Sequence, residues 1–365
     1  MPVVGHRKNP VNANSFNRCF LYCSRIVRKY GREVSAFLSG RAFYCNALAG
    51  ESEYNVCINC DMTVSCNCRD FDGLGQIGDL RCQSLEQVFA SAKANAFRQK
   101  LADGKFPVPT CASCPELRSV PSRDAKKYVD SFRVPTRGLM VENTVVCCYN
   151  CVSCYRKTVA RIRKRQSMDI DDIRRVASML ATHGVQHLSF FSLGDPFCAG
   201  NIHEQLKIIR SANPEMRILI STNGMLLDTD DKRTAALLAD RILISLDGMD
   251  DRSVTRFQVG ASFDRVYDNM KNLVKFRNEA RSKRPAIEWK YVVFNWNDRR
   301  EQVQRAIELA KAAGVDCISF WPTRMPLNGI SWRYHVDPFY KTLGKKSWKG
   351  REVEFGQETA ATLHP

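Results

Sequence analysis

The rhythm of apolar and polar positions changes at Gly138. Beyond it, short apolar runs, several rich in β-branched residues, occur at Leu139–Val141, Val185–Phe191, Arg217–Ile220, Arg241–Leu246, Ile287–Phe294 and Cys317–Trp321. Between them apolar residues recur every three or four positions. Ile170, Ile173, Val176 and Leu180 follow a capping residue, Asp169; Leu206 and Ile209 come next, then Leu237 and Leu238 after Asp230, then Val266, Met270 and Val274. The stretch from Glu301 to Ala313 stops at Gly314, a residue suited to ending a helix. Apolar runs of this length between turn signals mark strands, and a period near 3.6 marks a helix. Six strands alternating with helices predict parallel pairing and an α/β class. The expected architecture of residues 138–330 is an open, partial (β/α)6 barrel rather than a doubly wound sheet. The reason is that polar motifs fall at the ends of successive strands, where barrels place their chemistry.

The first 137 residues lack this alternation. Residues 1–34 read as an extension with one helix around Phe16 to Tyr30. Residues 35–120 read as a small cysteine-rich α+β domain with glycine turns at Gly73, Gly75 and Gly78. One helix is expected there, from Ser84 to Leu101, with Ser84 as cap and Gln87 at the third helical position. Residues 121–137 read as a linker. Residues 331–365 form a tail rich in Trp, Tyr and Lys, suited to capping the barrel or holding substrate.

A chain of 365 residues, 44% hydrophobic and 25% charged, is expected to fold as two soluble domains. No apolar run approaches the roughly 20 residues of a membrane helix. The polar, basic start, Met1 to Pro10, does not read as a secretory signal, so the expected location is the cytoplasm and no membrane partner is expected. Sixteen cysteines in a reducing compartment point to metal ligation rather than disulfides. The net charge of +17 favours an anionic partner. Much of it lies in Arg156, Lys157, Arg161, Arg163, Lys164 and Arg165, where only Tyr155 is interleaved. That pattern reads as a solvated helix face in preference to a nucleic-acid site.

The chemistry is carried by Cys147-x3-Cys151-x2-Cys154, just after the first strand. Three thiolates at this spacing can hold one face of a four-iron cube and leave the fourth iron open to a ligand. Cys148 offers a competing register, Cys148-x2-Cys151-x2-Cys154, and a zinc set is a further alternative. Leu193-Gly194-Asp195-Pro196 follows the second strand, Ser221-Thr222-Asn223-Gly224 the third, and Ser245-Leu246-Asp247-Gly248 the fourth. Lys290, Asn295 and Trp321 read as core or surface residues in preference to cavity residues.

These motifs resemble the radical S-adenosylmethionine (radical SAM) superfamily. The resemblance implies a catalytic four-iron cluster on Cys147, Cys151 and Cys154, with S-adenosylmethionine chelating the open iron. One electron then cleaves the sulfonium to a 5′-deoxyadenosyl radical that takes hydrogen from substrate. Gly194, Asp195, Ser221, Asn223, Ser245 and Asp247 are the implied cofactor-binding residues. Leu193 and Asp195 depart from the family's Gly-Gly-Glu-Pro pattern, and Ser153 stands where an aromatic residue is usual.

The earlier cysteines, with Gln76-Ile77-Gly78-Asp79-Leu80 and the helix after it, resemble an auxiliary SPASM or twitch domain, here preceding the barrel rather than following it. That resemblance implies an auxiliary four-iron cluster on Cys45, Cys66, Cys111 and Cys114, with Cys68 the rival for Cys66. Four protein ligands favour electron transfer, hence net oxidation or cross-linking. The implied partners are an organic substrate (peptide, sugar or nucleotide derivative) and a low-potential donor such as flavodoxin or ferredoxin. The alternatives are a redox-neutral epimerase, with Cys198 as candidate hydrogen donor, and a zinc-stabilised nucleic-acid-binding protein.

Overall fold

The computed structural model describes residues 11–347 and 349–355, with side chains from Cys23 onward. The polar start at 1–10, Trp348 and the last ten residues of the tail lie outside the described residues.

Thirteen strands are described: β1 (Arg41–Cys45), β2 (Cys57–Ile58), β3 (Thr63–Ser65), β4 (Gln76–Asp79), β5 (Leu117–Pro121), β6 (Gly138–Val141), β7 (His187–Ser189), β8 (Arg217–Thr222), β9 (Arg241–Ser245), β10 (Ala286–Val293), β11 (Cys317–Pro322), β12 (Lys345–Lys346) and β13 (Arg351–Glu354). β6 to β11 lie side by side in sequence order, and every neighbouring pair is parallel. Crossover helices include Ile170–Thr182, Ile202–Ala212, Asp230–Ala236, Phe263–Glu279 and Arg300–Ala313. A doubly wound sheet would reverse its order at a switch point, and this one does not.

Register sets which side chains share a face. Ile287, Trp289, Tyr291 and Val293 of β10 are fully buried, and Trp289 packs against Phe263 and Tyr267 of a crossover helix. The alternate positions, Glu288, Lys290 and Val292, therefore face the opposite, inner side. They align with Cys317, Ser319 and Trp321 of β11, and Lys290 also aligns with Ser245 of β9.

The cysteine-rich segment shares this sheet. β2 pairs in parallel with β6, and β3 and β4 extend the edge as antiparallel strands. β1 and β5 pair separately as an antiparallel ribbon. At the other edge β13 pairs antiparallel with β11, so the described part of the tail is two short helices, Arg333–Val336 and Pro338–Thr342, followed by a hairpin on the sheet. The expected linker contains two short helices, Ser122–Ala125 and Lys127–Asp130.

Local signals explain the helix ends. Asp169 accepts from the Asp172 N–H, Ser84 and Gln87 form a reciprocal capping box, and Gly314 ends its helix at φ 73°. The single helix expected from Ser84 to Leu101 is instead two, Leu85–Phe89 and Ala92–Ala102. Ser91 divides them, because its hydroxyl accepts from Ala94 N–H and so starts a new helix.

The two units are joined by a buried ion pair. Arg163 Nε donates to Glu142 Oε1 at 2.8 Å with side-chain exposures of 4% and 0%, and Arg163 Nη2 donates to Asn59 Oδ1. Glu142 follows β6, whereas Asn59 follows β2. Arg163 is thus no part of a solvated basic face. Its neighbour Arg165 pairs with Asp169 and Asp172, and Lys164 with Asp79.

Candidate metal centres

The loop after β6 carries Cys147, Cys151 and Cys154, and neighbouring loops hold its shape. Asn150 and Val152 donate backbone N–H groups to Val259 and Phe257, beyond β9. Val145 N–H donates to Gln166. Ser153, between the last two cysteines, has φ 67°, a left-handed conformation that a side chain disfavours and that clusters at functional sites. The turn brings the thiols close enough that Cys147 and Cys154 both raise the Cys151 pKa, after burial itself as the larger cause. Cys147 is also held neutral, first by its hydrogen bond with Cys148 and then by burial. Backbone N–H groups of Tyr149 and Arg156 point at Cys147 Sγ and Cys154 Sγ, each at 3.4 Å. Crowded, half-buried thiols with N–H donors aimed at sulfur suit a polycationic iron–sulfur cube, which would deprotonate them. Cys148 is exposed and lies against Asn223.

The loop after β7 rests directly on this turn. Asp195 N–H donates to Val146 O at 2.8 Å. At Gly194 a Cβ would stand 2.1 Å from the Thr144 carbonyl oxygen, so only glycine permits the approach. A Gly194→Ala protein should separate the two loops and lose about tenfold or more in S-adenosylmethionine affinity by calorimetry. Unchanged affinity would show that the close approach is irrelevant to the site.

Asp195 is 3% exposed. Its carboxylate accepts from Thr222 Oγ1, Asn223 N–H and Phe197 N–H, and burial pushes its pKa up against those bonds. The side chain therefore ties the loops after β7 and β8 together. Asn223 Nδ2 sits 3.5 Å from Cys147 Sγ. Ser221 aligns with Leu243 in the register that also aligns Leu243 with Glu288 of the inner face. Ser245 lies one row higher beside Lys290. Asp247 accepts from Val292 N–H at 2.9 Å, and burial lifts its pKa to about 6. Cys198 lies beside Cys148, a contact that lowers the Cys198 pKa.

The earlier cysteines form a second group. Cys45 ends β1, Cys66 follows β3, Cys111 lies in the 3₁₀ turn Pro109–Ser113 and Cys114 caps it. All four line one pocket, walled by Leu48, Phe97, Leu101, Val108 and Leu117. Cys68 is not among its lining residues; its thiol donates to Asn55 Oδ1. Burial pushes the Cys111 thiol up to about 12 and raises Cys45, Cys66 and Cys114 as well. Asn67 Nδ2 donates to Cys114 Sγ at 2.8 Å. Four mutually close thiols around an apolar pocket fit a cluster with four protein ligands.

Among the described residues, Cys57, Cys60, Cys66 and Cys68 do not assemble into a group that could hold a single metal ion. Cys60 donates to Arg165 O, and Cys57 is buried near Glu142. The inner-face position of Lys290 and Trp321 escapes periodicity, since an inward lysine and an inward valine at 290 and 292 look alike to an alternation rule.

Residues 141–282 match the Radical SAM superfamily model. A curated relative, named "Probable GTP 3',8-cyclase", from Methanocella arvoryzae (strain DSM 22066 / NBRC 105507 / MRE50), is 26% identical over 143 residues, which is 39% of this chain and 45% of that protein. The chain thus spans about half the length of this relative. Among solved structures, TYW1 with a lysine-pyruvate adduct bound is 16% identical, with TM-score 0.39 over 57% of this chain and 75% of that one. BtrN in complex with AdoMet and 2-DOIA is 22% identical, with TM-score 0.29 over 36% and 50%. Native anSMEcpe with bound AdoMet and Cp18Cys peptide is 16% identical, with TM-score 0.40 over 53% and 55%. Among the described residues no helix is long and apolar enough to cross a membrane.

Proposed function

We propose that this chain, through the radical SAM domain matched over residues 141–282, is an enzyme that generates a 5′-deoxyadenosyl radical and abstracts hydrogen from an organic substrate. The observation that carries the reading is the three-thiol turn of Cys147, Cys151 and Cys154 at the end of the first of six sequential parallel strands. When bound, a four-iron cluster with S-adenosylmethionine at its open iron supplies the one-electron cleavage. The chain's own work is positional. Gly194 lets the loop after β7 lie against the cysteine turn, and Asp195 locks that loop to Thr222 and Asn223. Asn223 approaches the Cys147 sulfur, and Ser221, Ser245 and Asp247 complete the cofactor-binding set. We read the six strands as an open partial barrel whose C-terminal ends form the site.

Cys45, Cys66, Cys111 and Cys114 hold an auxiliary four-iron cluster of the SPASM or twitch kind, supported by their common pocket. These four ligands would complete the coordination of such a cluster, which would suit it to accept an electron and so favours net oxidation or cross-linking. A redox-neutral epimerisation is the second reading, favoured by the position of Cys198 beside Cys148 near the cysteine turn. The electron enters from a low-potential donor of the flavodoxin or ferredoxin kind.

The test is anaerobic reconstitution with iron and sulfide, then addition of S-adenosylmethionine and dithionite. Release of 5′-deoxyadenosine by a protein with about eight irons per chain is the expected result. Bound zinc, or iron without cleavage, refutes the radical mechanism.

A further inference from the structure

Three cationic side chains from distant parts of the chain meet on the inner face of the sheet. Lys290 projects inward from β10, and its Nζ lies 4.7 Å from the centre of the Trp321 ring. Lys349, on the turn between β12 and β13, places its Nζ 4.6 Å from the centre of the same ring. Arg69, from the cysteine-rich segment, is close enough to Lys349 to depress its pKa, as is Lys290; burial is the larger cause, and together they bring it to about 8.

The nearby acids are already engaged. Glu288 pairs with Arg241 at 2.6 Å and accepts from Ser319. Asp247 accepts from Val292 N–H. Lys290 feels both carboxylates and the Cys151 thiol electrostatically, yet it makes no ion pair among the described residues. Indole rings attract ammonium groups, but by only about 0.5–2 kcal/mol each. Two ammoniums on one ring repel, and the repulsion is strongest where protein walls exclude water. The arrangement is what an anion would complete. It is also open to one, since Lys290 and Trp321 keep partial solvent access.

We propose that Lys290 and Lys349, held on Trp321 with Arg69 at the rim, bind an anionic group of the substrate, a carboxylate or a phosphate. The role as a substrate site rests on the radical mechanism proposed above; the anion site itself does not. Its position gives it a directing role. Lys290 is near Cys151 on one side, and Lys349 is near Cys68 of the cysteine-rich segment on the other. An anchored anion would hold the rest of the substrate between the turn of Cys147, Cys151 and Cys154 and the cysteine-rich segment. Part of this surface comes from the tail hairpin and part from the first 70 residues, so neither unit alone would provide it.

The test is calorimetric titration of the reconstituted, unreduced full chain with inorganic phosphate and, separately, with malonate. The wild type should bind at least one of them. Affinity should fall about tenfold or more in Lys290→Gln and in Lys349→Gln. It should persist in Lys290→Arg and in the exposed control Lys341→Gln. Preference for phosphate assigns a phosphorylated substrate, and preference for malonate a carboxylate. Lys349 lies on a hairpin turn, so its variant reports even if Lys290→Gln fails to fold. No reductant is present, so a failed cleavage assay leaves this result standing. Absence of binding in the wild type, or undiminished binding in Lys349→Gln, overturns the proposal.

Discussion

Cys151→Ala protein, reconstituted and reduced anaerobically, will release no detectable 5′-deoxyadenosine and will carry about four irons per chain instead of about eight. The reasoning is local. Cys151 is the middle thiol of the turn, electrostatically close to both Cys147 and Cys154. Two remaining thiolates cannot hold a cube whose fourth iron must stay open. On the proposed ligand sets the iron left would belong to the other thiol pocket, formed by different elements of the chain. Iron and sulfide analysis with the cleavage assay reads both parts. The companion variant Cys148→Ala settles the register. Cys148 is exposed and lies against Asn223, so its loss should leave about eight irons in place. If Cys148→Ala instead removes half the iron, the competing x2 spacing is the true one.

Arg163→Ala will destabilise the folded chain by about 3–5 kcal/mol. Its partner, Glu142, has no exposed side-chain surface, so removing the guanidinium strands a carboxylate with no access to water. Asn59 Oδ1 loses its donor in the same step. Thermal or denaturant unfolding of wild type and variant measures the difference. Removing both charges with Arg163→Met and Glu142→Gln should recover a large part of the loss, because the expense lies in the orphaned charge rather than in the pair. A single-variant change below about 1 kcal/mol would mean that water reaches Glu142 after the substitution.

Local features concentrated in short sequence intervals were the legible ones. The cysteine triple, the Gly194-Asp195 and Asp247-Gly248 turns, and the caps at Asp169, Ser84 and Gly314 all depend on residues within a few positions of one another. Facts that depend on distant segments meeting were not readable. β2 is only two residues long, and its parallel partner lies far along the chain, so no periodicity announces the pairing. Arg163 sits among six basic residues, and nothing local distinguishes the buried one from those in solvent. The convergence of Lys290, Lys349 and Trp321 depends on strand register and on a hairpin added at the sheet edge. Ser91 shows a smaller limit. A good capping residue inside an apolar periodic run is ambiguous until the second helix has something to pack against.

The pairing of β2 with β6 also constrains how the protein is made. During synthesis β2 leaves the ribosome about eighty residues before β6, so its outer edge has no partner for several seconds. In that interval the cysteine-rich segment presents an unpaired strand and a pocket of thiols that oxidants can reach before iron does. The nascent chain is therefore most vulnerable just before Gly138 is translated. Slow translation across residues 60–140, or scarcity of iron and sulfide at that stage, should lower the yield of soluble protein more than the same delay later in the chain.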